Sequence, residues 1–300
     1  MADHLSGVFT PVVTPFKDDF SVDSERLIAQ CRWLIARDCG LAIFGTNSEG
    51  TSLSVGERIE LIDQLIEAGL PPERMMPGTG TSALPDTVAL CAHVAKSGCG
   101  GALVLPPYYY KAATEDGLFA YFASLIEKVG DDRMKLYLYH IPPVAGIGFP
   151  MSLYERLIKT YPTVVVGTKD SSQDNPHTQA LIDNFPGFAV FPGNETALAS
   201  FMKNGAAGTI AATCNVNTAA IVKLYKDPNA PDAEAQQARL NEVRGTFAKY
   251  PMIAAMKATI AAANNDPVWR NLRPPLEPLS PEQETALAAD LKAIGFTYDA

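Results

Sequence analysis

The sequence predicts a parallel (β/α)8 barrel, the TIM barrel, followed by a C-terminal helical extension. Short apolar runs alternate with amphipathic stretches along most of the 300 residues. Eight strand-then-helix repeats suit a closed parallel barrel better than an open sheet. The strand runs are nearly continuous in apolar residues, as expected when both faces of a parallel strand are buried. A hydrophobic fraction of 47% supplies enough material for that core.

Eight apolar runs are predicted as strands, and helical patterns separate them. Ser54 with Glu57, and Ser152 with Glu155, have the spacing of capping boxes, and Asp23 or Ser24 can cap the first helix. The predicted strands are 7–14, 41–45, 74–79, 101–106, 135–141, 164–169, 188–192 and 206–213.

The strand pattern stops after residue 216, and only helical patterns follow. They are predicted at 217–226, 232–249, 251–264 and 281–294, which is one helix more than an eighth βα unit needs. We therefore predict a catalytic barrel over residues 1–226 and a helical extension over 227–300 that packs on it.

Composition excludes several function classes. The net charge of −9 without a basic stripe argues against nucleic acid or an anionic membrane surface as a partner. No apolar run approaches the roughly 20 residues of a membrane helix, and the N-terminus lacks a signal pattern, which predicts a soluble, cytoplasmic protein. Five cysteines without a C-x-x-C pair predict free thiols, and four scattered histidines without a ligand spacing predict no metal.

Polar residues at the predicted strand ends are the candidates for chemistry, because barrel active sites lie there. Lys169 closes an apolar strand, where a buried amine would be a nucleophile toward a ketone; extension of the ammonium into solvent is the alternative. Tyr139 could move protons for such an amine, or could simply be an amphipathic core residue. Thr46 and Asn47, in a tight turn after a strand, could hold a carboxylate or serve only the turn.

Several segments in order resemble the dihydrodipicolinate synthase / N-acetylneuraminate lyase family of class I, Schiff-base-forming aldolase-type barrels. The resemblance covers almost the whole chain. It is carried by GVFTPVVTPF, GTNSEG, PGTG, PPYYY, LYLYHIP, GTKDSS, GNETAL, GAAGTIAATCNV and RPPLEPLS.

The resemblance implies roles for a catalytic set. Lys169 matches the lysine that attacks the 2-keto carbon of pyruvate or another 2-keto acid. Tyr139 matches the tyrosine that moves protons at that carbon. Thr46 matches the hydroxyl that links this tyrosine to a second one, here Tyr109, which in the family reaches in from a neighbouring subunit.

It also implies substrate contacts and an assembly. Thr46 and Asn47 match the pair that binds the keto-acid carboxylate, and the carbonyl of Ile210 matches one that faces the imine. Family members are commonly tetramers, so a homotetramer is expected.

Departures from the family pattern bear on the second substrate. Val144 stands where the lysine-pathway synthases have an arginine for the aldehyde's carboxylate, so condensation of pyruvate with aspartate semialdehyde is expected to be poor. Glu195 and Thr196, with Ser171, would suit a neutral, hydroxylated aldehyde. A basic residue elsewhere in the chain is the alternative source of an anchor.

The predicted function is a cofactor-free carbon–carbon lyase of the aldolase type. It would form a lysine Schiff base with pyruvate or a 2-keto acid and make or break a bond to an aldehyde, for which a sugar-derived aldehyde is the favoured candidate. The alternatives are a 2-keto-3-deoxy sugar acid dehydratase and dihydrodipicolinate synthase (4-hydroxy-tetrahydrodipicolinate synthase). A different class is a catalytically silent paralogue that only binds a metabolite.

Overall fold

The computed structural model describes residues 4–298, and its strands are short and parallel. They are β1 (Gly7–Thr10), β2 (Gly40–Leu41), β3 (Ala102–Val104), β4 (Leu136–His140), β5 (Val165–Asp170), β6 (Ala189–Pro192) and β7 (Gly208–Ile210).

The seven strands and one extended segment, residues 75–78, close into a barrel. Strand β1 pairs with β2 and β7, and β3 to β6 pair in chain order. Segment 75–78 joins the two groups through parallel bridges from Met75 to Leu41 and from Gly78 to Leu103. On the other side, the Ala207 N–H donates to the Val190 carbonyl at 2.9 Å and connects β6 with β7. The predicted barrel is confirmed.

The predicted third strand, 74–79, is an extended segment from residue 75 onward, with one bridge on each side. Pro77 within it has no N–H to donate to a ladder. Gly78 allows the segment to approach its neighbour closely, because a Cβ there would lie 2.3 Å from the Phe44 carbonyl oxygen. Backbone hydrogen bonds hold the segment on both sides: the Gly78 N–H donates to the Ile43 carbonyl at 2.7 Å, and the Leu103 N–H donates to the Pro77 carbonyl at 2.9 Å.

Helices connect the strands of the barrel, and further helices follow the last strand. They are α1 (Ser24–Ala36), α2 (Val55–Glu67), α3 (Leu84–Lys96), α4 (Glu115–Val129), α5 (Pro142–Ala145), α6 (Met151–Thr160), α7 (Asn175–Asn184), α8 (Leu198–Lys203), α9 (Cys214–Lys226), α10 (Ala233–Phe247), α11 (Met252–Asn264) and α12 (Pro281–Ala293).

Two of the three predicted helix starts are confirmed. Ser54 and Glu57 form a reciprocal capping box on α2, and the Asp23 carboxylate accepts from the Arg26 N–H at the start of α1. The capping box predicted at Ser152 is wrong. Helix α6 begins earlier, after Pro150, and the Ser152 hydroxyl donates instead to Glu115 at 2.6 Å.

The helices after the barrel share a core of their own. Phe247, Met256 and Trp269 are buried in a cluster that also contains Val13 from the barrel side. Arg26 Nε on α1 donates to the Asp266 carboxylate at 2.6 Å, a contact between the barrel and the segment that follows α11. The predicted C-terminal helical extension is therefore present and packs on the barrel, while its division from the barrel at residue 226 stays a prediction.

All five cysteines are buried free thiols, as predicted. Within residues 4–298, no helix combines the length and apolarity needed to cross a membrane.

Candidate active site

Lys169 and Tyr139 are partners in the register of neighbouring strands β5 and β4. The Lys169 side chain is only 2% exposed, and its Nζ donates to the Tyr139 hydroxyl at 3.2 Å. Nζ also lies 4.4 Å from the centre of the Tyr139 ring. The amine is therefore inside the barrel beside a phenol, and it does not extend into solvent.

The turn after β2 adds a third hydroxyl to this pair. Thr46 Oγ1 lies 3.1 Å from the Tyr139 oxygen. Hydrogen bonds from the Ser48 and Gly50 N–H groups to the Gly45 carbonyl hold the turn in place. A Cβ on Gly50 would lie 1.9 Å from the Phe44 carbonyl oxygen, so only glycine fits there. Thr46, Tyr139 and Lys169 thus form one continuous hydrogen-bonded chain.

A cavity of about 530 Å³ opens above Lys169 at the carboxyl ends of the strands. It is lined by Asn47, Tyr139, Ile141, Pro143, Val144, Lys169, Ser171, Gln173, Asn175, Gly193, Asn194, Thr196, Asn241, Arg244, Gly245 and Ala248.

Most of the predicted binding residues lie at this cavity. Asn47, Ser171 and Thr196 line it, and so does Val144, which is 63% exposed on α5. Thr46 lies beside it, in contact with Tyr139. The turn after β2 and the ends of β4, β5 and β6 therefore converge on Lys169, as a parallel barrel requires.

Besides Thr46, three other predicted residues do not line the cavity. Tyr109 is 76% exposed, and its ring packs against Tyr110 rather than Tyr139. Glu195 is completely buried and accepts a hydrogen bond from Thr213, so its carboxylate faces away from the cavity that Asn194 and Thr196 line. Ile210 is buried in β7.

A sequence model described as the dihydrodipicolinate synthetase family matches residues 4–294. The chain belongs to this family.

Individual relatives agree with the assignment. A protein of Chloroflexus aurantiacus described as an uncharacterized DapA-like lyase is 35% identical over 295 residues, which cover 96% of each chain. A 4-hydroxy-tetrahydrodipicolinate synthase of Methanococcoides burtonii is 28% identical over 97% of this chain and 99% of its own. The crystal structure of dihydrodipicolinate synthase from Agrobacterium tumefaciens superposes with a TM-score of 0.90 at 28% identity, over 96% of this chain and 99% of that one. The predicted resemblance is confirmed, and the chain is a carbon–carbon lyase of the dihydrodipicolinate synthetase family.

Sequence reasoning missed the contribution of helix α10 to the lyase's cavity. Asn241 and Arg244 line the cavity, and Gln237 donates to the Glu195 carbonyl at 2.7 Å. These residues recur every three or four positions and therefore share one helix face. Their helical spacing was visible in the sequence, but the direction of this polar face, which lies next to the buried Leu240 and Val243, was not.

A cluster of His140, Asp170 and His177 lies directly behind the reactive pair. The His140 and His177 rings stack with their centres 4.7 Å apart, and His177 Nδ1 lies 3.0 Å from Asp170 Oδ2. Burial lowers the pKa of His140 to about 4. The hydrogen bond that His177 donates to the Asp170 carboxylate raises the pKa of His177.

Among the described residues, these three side chains are also close enough together to bind a metal ion, because one potential ligand atom from each lies within 4.8 Å of the others. Hydrogen bonds already engage most of these atoms. His140 Nδ1 accepts from the Phe149 N–H at 2.9 Å, and Asp170 Oδ2 accepts from the Thr178 hydroxyl at 2.7 Å. We therefore assign no metal to it.

Proposed function

We propose that this lyase forms an imine between Lys169 and the keto carbon of pyruvate or another 2-keto acid. The observation that carries the proposal is the hydrogen-bonded chain of Lys169, Tyr139 and Thr46. In it the buried amine lies 3.2 Å from the phenol oxygen, and the phenol oxygen lies 3.1 Å from the threonine hydroxyl. A buried amine beside a proton donor and acceptor is the arrangement that carbonyl addition needs.

The proposed chemistry uses no group beyond these side chains and the substrate. The Lys169 amine adds to the keto carbon, and Tyr139 donates the proton with which the carbinolamine oxygen leaves as water. When the bond between carbons 3 and 4 breaks, its electron pair moves into the imine and gives an enamine. The Tyr139 phenolate takes the proton of the hydroxyl on carbon 4, and this group becomes the aldehyde. Tyr139 then returns the proton to carbon 3 of the enamine, and water hydrolyses the resulting imine to release pyruvate and the free Lys169 amine. The positive charge of the protonated imine is the electron sink.

The turn after β2 is proposed to hold the keto-acid carboxylate. Thr46 and Asn47 offer a hydroxyl and an amide beside Lys169, and backbone N–H groups of the turn lie next to them. Beyond the imine, Ser171, Asn194 and Thr196 offer hydrogen bonds to a hydroxylated aldehyde, in keeping with a sugar-derived substrate.

We also propose that the lyase works as a homotetramer in the cytoplasm. The support for the assembly is the exposure of adjacent aromatic rings, 76% for Tyr109 and 59% for Tyr110, since a neighbouring subunit would cover them. In that assembly Tyr109 would reach Thr46 of the neighbouring chain.

The test of the proposed function is a panel of 2-keto acids assayed for pyruvate release, with imine trapping run alongside. Release of pyruvate and an aldehyde identifies an aldolase. Loss of water without pyruvate identifies the dehydratase alternative, which would use the same enamine. Preferred condensation with aspartate semialdehyde identifies the synthase. Imine formation without turnover of any substrate identifies a binding paralogue.

A further inference from the structure

The cavity above Lys169 has an unusual charge for this protein. The chain contains 33 acidic and 24 basic residues, yet the lining contains two cationic side chains, Lys169 and Arg244, and no acidic one. The remaining polar lining is uncharged and includes Asn194 and Asn241. Such a cavity favours a ligand with negative charge at two places.

One N–H donor group of the Arg244 guanidinium has no hydrogen-bond acceptor among the described residues. Its Nη1 atom is buried and has no hydrogen-bond partner within residues 4–298. By contrast, Arg239 on the same helix pairs with Glu242, and Arg270 pairs with Glu284 at 2.7 Å. A buried guanidinium donor without a partner is costly, so a turn of the side chain that brings this donor to an acidic group in the cavity would be favourable.

Helix α10 is fixed where it meets the barrel, which places the guanidinium at the cavity wall. Gln237, two turns before Arg244, accepts from the Ala199 N–H at 3.0 Å and donates to the Glu195 carbonyl at 2.7 Å. Both contacts lie at the loop and helix that follow β6. The arginine is thus held by a separate element from Lys169, with cavity between them.

We propose that Arg244 binds an acidic group at the far end of the substrate, so that the lyase acts on 2-keto acids with a second anionic terminus. The inference rests on the proposed function, because it takes Lys169 as the position of the keto carbon. A guanidinium binds a carboxylate or a phosphate through two parallel hydrogen bonds. Arg244 thereby supplies the cation that Val144 cannot supply from α5.

The test compares six-carbon 2-keto-3-deoxy sugar acids that differ only at carbon 6, which is a primary alcohol, a carboxylate or a phosphate ester. The half-saturating concentration for borohydride trapping on Lys169 is measured for each. In the wild type, at least one of the two acidic ligands is expected to trap at a concentration about tenfold or more below that of the alcohol. The identity of that ligand separates a carboxylate from a phosphate terminus.

Substitution shows whether Arg244 causes the preference. In Arg244→Gln, the half-saturating concentration of the alcohol divided by that of the preferred acidic ligand is expected to fall to about one. Arg244→Lys is expected to retain part of the preference, because the charge remains. The matched control is Arg239→Gln, the same change on the same helix outside the cavity, which should keep the wild-type ratio. Equal trapping of all three ligands by the wild type, or an unchanged ratio in Arg244→Gln, would overturn the inference.

A calorimetric titration separates this inference from the proposed function. The three sugar acids are titrated into Lys169→Ala, which cannot form the imine, with and without Arg244→Gln. A preference for an acidic terminus that Arg244→Gln removes supports the inference even if pyruvate fails to label Lys169 in the wild type. Absence of any such preference in Lys169→Ala refutes it.

Discussion

The Nζ atom of Lys257 lies 2.5 Å from Oε1 of Glu49, and both side chains are completely buried. Lys257 is on α11 in the C-terminal extension, and Glu49 is in the turn that carries Thr46 and Asn47. Lys257 also donates to the Asn271 carbonyl at 2.8 Å. The extension therefore stabilises the turn proposed to bind the keto-acid carboxylate.

Removing one member of this pair should destabilise the protein strongly. Lys257→Met leaves the Glu49 carboxylate buried with one backbone donor, and we expect the free energy of unfolding to fall by about 3–5 kcal/mol. The double variant Glu49→Gln/Lys257→Met leaves no buried charge and should lose less than the sum of the two single losses. Urea denaturation measures these values.

The matched control is an exposed ion pair. Lys223 Nζ lies 3.6 Å from Asp232, and Lys223→Met should cost less than about 1 kcal/mol. Strict additivity of the Glu49 and Lys257 substitutions would show that the pair does not act as a unit.

Tyr139 should be needed for proton transfer and dispensable for folding. Tyr139→Phe removes one oxygen, so we expect the exchange of pyruvate methyl protons with deuterated water to slow by about 10²–10⁴-fold. Thr46→Val should give a smaller loss. Proton NMR follows the exchange.

Tyr137→Phe is the matched control, because Tyr137 lies two residues earlier on the same strand and its hydroxyl accepts from the Leu5 N–H at 2.7 Å, away from Lys169. A near-normal exchange rate in Tyr139→Phe would rule out the proton-transfer role.

His140 should make the protein less stable in acid. Its pKa is lowered to about 4 by burial, against 6.5 in the unfolded chain, so below pH 6.5 the unfolded state binds more protons. Stability should therefore fall by about 3 kcal/mol between pH 6.5 and pH 4 on account of this residue. His140→Asn should flatten that part of the stability profile, measured by urea denaturation at a series of pH values.

His177→Asn is the control of opposite sign. The folded-state pKa of His177 is raised, so its contribution is complete below pH 6.5 and is lost as the pH rises through the folded value. This variant should change the profile above pH 6.5 instead. An acid-side slope that survives in His140→Asn would contradict the assignment.

The proposed tetramer predicts complementation between two defective subunits. If Tyr109 completes the site of a neighbour, Lys169→Ala and Tyr109→Phe subunits should regain part of the lost activity when they are mixed and reassembled. One kind of site then receives both intact groups. Sedimentation measures the assembly, and a monomer at assay concentration would contradict the proposal.

Local pattern was sufficient to predict the strand that carries Lys169 and the helix that carries Arg244. The approach of Lys169 to Tyr139 could not be predicted from local pattern, because it depends on the register between β4 and β5, 30 residues apart. Arg244 was missed for a similar reason. Its helix is evident from the sequence, but the face turned toward the barrel is fixed by Gln237 bonding to Glu195, 42 residues away.

Side-chain direction at strand ends was the least predictable property. Glu195 and Thr196 are adjacent after β6, yet only Thr196 reaches the cavity, because Glu195 turns inward to Thr213. Ser152 has the spacing of a helix cap, but its hydroxyl donates to Glu115 at the start of α4. In both cases a long-range hydrogen bond overrides the local pattern.

The central claim is that Lys169 is the amine that forms the imine, and borohydride reduction in the presence of pyruvate tests it most directly. The account predicts one covalent adduct per chain, located by peptide mass spectrometry on Lys169. Labelling should be absent in Lys169→Arg, which keeps the charge but cannot attack a carbonyl, and should persist in Lys111→Arg. An adduct on Lys111, Lys159 or any other lysine, or undiminished labelling of Lys169→Arg, would contradict the account.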